Sequence, residues 1–217
     1  QPRAFDARHG MVQPDPTVPQ DTLYAVVTHE DWRFGLLVGS ALPQAQSVHR
    51  ILDARGQTYA EVWQVPAGSL PQPKPQRAAA ATLGDVVALH GFDLEPAAAK
   101  AGQSLYVTLY WRALAPSPAD YTVFVHLLGP PNPASGDAVW AGHDGQPLGG
   151  SYPTTRWAAD EWVLDQHELR LPADAPPGVY ELEAGLYLLE RGQRLPAQTA
   201  HGTETRVLLG QVVVAGP

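Results

Sequence analysis

Carboxylates and aromatic side chains crowd into one part of this 217-residue chain, with a histidine among them. The stretch "AGHDGQPLGGSYPTTRWAADEW" (141–162) carries His143, Asp144, Tyr152, Trp157, Asp160, Glu161 and Trp162, just ahead of Asp165 and Glu168. Two carboxylates facing each other across a cleft at about 5–9 Å are the machinery of glycoside hydrolysis. Asp144 with Glu161 or Asp165 is the pair on offer. Flat aromatic faces beside hydrogen-bonding groups suit sugar binding instead. On that reading Trp140, Tyr152 and Trp157 supply the faces, and His143, Asp144 and Thr154 the hydrogen bonds. A third reading is structural. Trp157 and Trp162 plug a core, while Asp144 and the Thr154–Thr155 pair satisfy loop backbone groups. A long ordered loop needs its own packing before it can bind anything, which favours the structural reading.

Other chemistries lack their residues. His167-Glu168 opens like a zinc-protease helix, but position 171 is Leu and the segment alternates as a strand. "GGSYP" (149–153) opens like a nucleophile elbow, but Pro153 stands where the closing Gly belongs. There is no GxxxxGK phosphate loop and no Asp-x-Asp pair. The eight His are scattered, and there is no Cys, so no metal site is expected. No catalytic residue is assigned, and no cofactor is implied.

Composition narrows the class further. The formal charge is −8 and Lys74 and Lys100 are the only lysines. This argues against nucleic acid as a partner and against attraction to an anionic membrane surface. With 44% apolar and 17% charged residues the chain is globular. The longest apolar run, "FGLLVGSAL" (34–42), is too short to cross a bilayer. The sequence opens on Gln1 with no signal-peptide pattern, which predicts a piece of a longer protein. Its single Asn132 precedes Pro133, so there is no glycosylation sequon.

Residues 1–66 read as a small α/β unit. "TLYAVVT" (22–28) is a strand, and Thr28-His-Glu-Asp is a capping box for a helix through Trp32, Leu36, Leu37 and Ala41. "SVHRIL" (47–52) and "TYAEVWQV" (58–65) are strands around a turn at Arg55-Gly56. Residues 67–81 are rich in Pro and Ala and read as a stiff linker. From 82 to 217 the pattern is all strand. Leu105, Val107, Leu109 and Trp111 share one face, as do Tyr180, Leu182, Ala184 and Leu186. His90 and His126 fall within strands and read as satisfied sheet histidines. Seven or eight such strands predict an antiparallel β-sandwich, Ig-like or jelly-roll-like, behind the α/β unit.

"SLYVTLYWRALAPSPADYTVFVHLLGP", "AGHDGQPLGGSYPTTRW" and "LRLPADAPPGVYELEAGLYLLERGQRLP" carry a family resemblance. Together they resemble the C-terminal β-sandwich of large bacterial membrane glycosyltransferases of the dolichyl-phosphate-mannose–protein mannosyltransferase type. The resemblance covers about residues 82–196. It is strongest at Tyr110-Trp111, Tyr121 to Leu128, His143-Asp144-Gly145, Pro153-Thr154, Trp157 and Gly185-Leu186-Tyr187. The loop "GPPNPASGDAVW" (129–140) is longer than the family's usual hairpin. In that family a polyprenyl-phosphate sugar is the donor, and the catalytic acid lies among the membrane helices. No residue here matches that motif.

The resemblance therefore implies a non-catalytic extracytoplasmic region, tethered to the membrane by the rest of its parent chain. Its expected partners are that membrane domain and a glycan or glycosylated acceptor. The alternatives are a freestanding carbohydrate-binding module of a secreted protein and the carboxylate-dependent glycoside hydrolase above.

Overall fold

The computed structural model describes residues 4–27, 42–133 and 136–215. The helix expected over 28–41 lies outside the described residues. The early strands are β1 (Gly10–Gln13), β2 (Thr22–Val27), β3 (Gln46–Leu52), β4 (Thr58–Val65), β5 (Arg77–Leu83) and β6 (Val87–Glu95). β7 (Ala99–Lys100), β8 (Ser104–Ala113), β9 (Thr122–Leu128), β10 (Val139–Gly145) and β11 (Trp162–Arg170) follow. β12 (Gly178–Leu188), β13 (Gln193–Arg194), β14 (Ala197–Thr199), β15 (Gly202–Glu204) and β16 (Val207–Ala215) close the chain.

The chain divides into two compact units, one of residues 12–74 and one of residues 1–11 with 75–217. In the smaller unit β2, β4 and β3 form a three-stranded antiparallel sheet in that order. Tyr24 and Val26 are its buried face, and the Tyr24 hydroxyl donates to the Val12 carbonyl.

The larger unit is a β-sandwich. One sheet runs β1-β11-β8-β6-β5-β14-β15, the other β10-β9-β12-β16-β7 with β13 paired to β12. β16 pairs with β7 in parallel, while the β5–β6, β6–β8, β8–β11, β5–β14, β9–β10, β9–β12 and β12–β16 pairings are antiparallel. Alternation sets the core. Leu105, Val107, Leu109 and Trp111 of β8 are fully buried, as are Val123, Val125 and Leu127 of β9 and Leu182, Ala184 and Leu186 of β12. β-branched and aromatic side chains fill a pleated surface well, which is why these segments are strands.

The boundary differs from the sequence reading. β5 begins at Arg77 and pairs with β6, so the last five residues of the expected linker belong to the sheet. An alanine run has little strand propensity, and pairing with its neighbour overrides that preference. The stretch from 141 is also not all loop. β10 runs through Gly145 as an edge strand on β9. Its Gly, Ala and Asp content hid it, because such residues are depleted in strands.

Candidate functional site

Four of the six sequence-derived ligand residues are packing residues. Trp157 and Tyr152 are buried. The Trp157 indole N–H donates to the Tyr152 carbonyl at 3.0 Å, and the Tyr152 hydroxyl donates to Glu161 at 2.9 Å. Glu161 also accepts from the Ala158 amide at 3.0 Å. Thr154 is buried; its hydroxyl donates to the Ala119 carbonyl at 2.8 Å and accepts from the Tyr121 amide at 3.0 Å. Trp140 is buried edge-on against Tyr180 and donates its N–H to the Pro130 carbonyl at 2.7 Å. A long segment crossing a sandwich end must satisfy its backbone and fill the space beneath it. These side chains do so, and their flat faces are not presented to a ligand.

The two remaining residues, His143 and Asp144, are neighbours on β10 and point to opposite faces. His143 stands opposite Val125, whose side chain is in the core. It meets β11 of the other sheet, where Asp165 and His167 take inward positions between Val163 and Leu169. A chain of polar contacts results. The Leu148 amide donates to Asp165 Oδ1 at 2.9 Å, His167 Nε2 faces Asp165 Oδ2 at 2.8 Å, and His143 Nδ1 faces His167 Nδ1 at 2.7 Å. An ionised Asp165 only accepts, so His167 donates from Nε2 and accepts at Nδ1 from the His143 Nδ1–H. Asp165 and His167 are each 1% exposed. Leu148 reaches its position with a left-handed backbone (φ 53°), a strained setting for a non-glycine residue. Burial, and the repulsion two protonated rings would feel at the His143–His167 contact, hold the His143 imidazole below its ordinary value, against the pull of Asp165 and Asp144.

Asp144 stands opposite Phe124 on the outer face of the six-stranded sheet, and Phe124 stands opposite Gly185 of β12. In the next row Gly142, His126 and Glu183 lie across from one another. The two glycines make this surface flat. A Cβ on Gly185 would sit 2.5 Å from the Phe124 ring, and one on Gly142 would sit 2.9 Å from the His126 ring. His126 Nε2 lies 2.8 Å from Asp144 Oδ1, and Nδ1 lies 3.4 Å from Glu183 Oε1. Both ring nitrogens face carboxylates, a setting that only the doubly protonated ring satisfies. Its pKa is raised, chiefly by Glu183 with Asp144 adding, against the opposing effect of burial. Glu183 also takes Arg206 at 2.5 Å. Burial pushes the Glu183 carboxyl up, but His126 and the two arginine charges outweigh it and leave it low. Tyr187 completes the patch, with its hydroxyl raised by burial and by hydrogen bonding to Asp144.

The chain matches no family model and none of the curated proteins. Among the described residues no three metal-ligating side chains converge, and no helix is long and apolar enough to cross a membrane.

The outer-face cluster was not assembled from the sequence. Its members come from β9, β10, β12, β13 and the turn before β16, spread over residues 124–206. One signal was present: "YTVFVHLLG" is apolar on both faces, so its outer face needs cover. The carboxylates of the hydrolase alternative do not share a face either. Asp144 is on the outer face, while Glu161 and Asp165 are buried and committed to Tyr152 and His167.

Proposed function

We propose that this chain is a non-catalytic extracytoplasmic binding module of a membrane-embedded, polyprenyl-phosphate-sugar-dependent glycosyltransferase. The outer face of its six-stranded sheet holds a glycan or a glycosylated acceptor. The observation that carries this reading is the cluster of Asp144, His126 and Glu183 across two neighbouring rows of the sheet, with Tyr187 beside it. Sugars combine hydroxyls with apolar C–H faces, and here the half-exposed Tyr187 ring lies beside the exposed Asp144 carboxylate. The membrane context rests on the resemblance of residues 82–196.

Two measurements test it. Glycan-array screening of the intact protein is expected to find saturable binding. Asp144→Ala is expected to weaken that binding about tenfold or more while lowering stability by no more than about 1 kcal/mol, the usual worth of a part-exposed ion pair. Binding unchanged in Asp144→Ala and in Tyr187→Ala would sink the sheet-face reading. In the parent gene, several apolar stretches of about 20 residues are expected beside this segment. None would favour the freestanding carbohydrate-binding module.

A further inference from the structure

The outer face holds one cation whose hydrogen-bonding capacity is unused. Arg194 of β13 lies with its guanidinium carbon 4.1 Å from the centroid of Phe124. Phe124 lies flat because Gly185 leaves room for it. A guanidinium this close over a seated ring makes a cation–π contact, which restrains where the cation can sit. The nearest carboxylate, Glu183, is 3.9 Å away, too far for a hydrogen bond. Glu183 is shared with Arg206 at 2.5 Å and His126 at 3.4 Å. Among the described residues Arg194 makes no hydrogen bond to a side chain or backbone group. Its side chain is 37% exposed, so a ligand can reach it.

A guanidinium held over a ring, with only a loose ion pair and no hydrogen bond, fits a two-oxygen anion, which takes two parallel N–H bonds from it. We propose that Arg194 is an anion subsite within the sheet face, so that this face selects ligands bearing a carboxylate or a phosphate. The inference rests on the glycan-binding reading for the rest of the ligand but not for the anion itself. The Phe124 ring acts as a positioning support. Arg206 and His126 matter indirectly, because they share the Glu183 charge with Arg194.

The test uses titration calorimetry on the full chain with three probes: an oligogalacturonide, its methyl ester and inorganic phosphate. The acid is expected to bind about tenfold or more tighter than the ester, since charge-assisted bidentate bonds are among the stronger hydrogen bonds. Arg194→Gln is expected to erase that margin while the ester still binds. Arg194→Lys keeps the charge without the fork and is expected to restore only part of it. Arg191→Gln, an exposed change in the same hairpin, is expected to leave all three affinities unchanged. Equal binding of acid and ester would overturn the subsite and leave the glycan reading standing. Phosphate binding that depends on Arg194, with no binding of either oligosaccharide, would support the subsite, make phosphate its source and overturn the glycan reading. No binding of any probe would overturn both.

Discussion

Two histidine–carboxylate clusters lie on opposite faces of one sheet edge and behave in opposite ways. The inner one, Asp165–His167–His143, ends in two imidazoles meeting nitrogen to nitrogen. The outer one, Asp144–His126–Glu183, places a carboxylate at each nitrogen of one imidazole. The residue types are nearly the same. What differs is the partner of the second ring nitrogen and the depth of burial. The inner cluster joins β10 to β11 across the open side of the sandwich, and its buried groups are all committed to one another. The outer cluster is accessible at Asp144 and at its arginines. Sequence neighbours His143 and Asp144 are thus divided between a structural role and a surface role by strand alternation alone.

The largest expected effect breaks the inner region at its support. Trp157→Ala removes a buried indole and its bond to the Tyr152 carbonyl. It should lower unfolding stability by about 3–5 kcal/mol, as other large core truncations do. Denaturant unfolding followed by fluorescence would measure it. A loss below about 1 kcal/mol, together with lost sugar binding, would return Trp157 to a binding surface.

Asp165→Asn cuts deeper into the comparison with a smaller cost. The amide has one oxygen where the carboxylate has two, yet the Leu148 amide and the His167 ring each need an acceptor. One buried donor is left unpaired, so a loss of about 1–3 kcal/mol is expected. Asp144→Asn, on the outer face, should change stability by less than about 0.5 kcal/mol. Equal losses at the two positions would remove the distinction between the clusters.

Strand alternation made most of the sandwich legible. Leu105 to Trp111 and Tyr180 to Leu186 take the faces their spacing predicts, because a period of two leaves no freedom once one face is buried. β5 and β10 escaped for the same reason as each other. Ala78 to Ala81 and Ala141 to Gly145 have weak strand preference, and pairing with the adjacent strands β6 and β9 holds them in the sheet. The structural role of the Thr154–Thr155 pair was legible, since Thr bonds loop backbone in many settings. Thr155 closes on Asp120, and Thr154 closes on the backbone at Ala119 and Tyr121. The outer cluster was not legible, because register across three strands decides which His meets which carboxylate. His126 reads as an ordinary sheet histidine until Asp144 and Glu183 are placed on either side of it.

The smallest effect is the most diagnostic, because the two histidines give pH dependences of opposite sign. His126 has a raised pKa in the folded protein. Its stabilisation is fully present below the ordinary histidine value of 6.5 and is lost as pH rises through the higher folded value. His143 has a lowered pKa, with His167, Asp165, Asp144 and His9 as its charged or titratable neighbours. Its contribution is fully present above 6.5 and is lost as pH falls through the lower folded value. His90, lowered by burial and by the Arg112 charge, has the same sign as His143. In the unmodified protein these contributions partly cancel between about pH 5.5 and 8, where histidines titrate. His126→Gln should therefore leave a melting temperature that climbs with pH across this window. His143→Gln should tilt the same curve toward higher melting temperature at lower pH. Thermal melts of the three proteins in matched buffers would show it. Parallel shifts in both variants would mean that the two histidines titrate alike, and the contrast between the inner and outer clusters would fail.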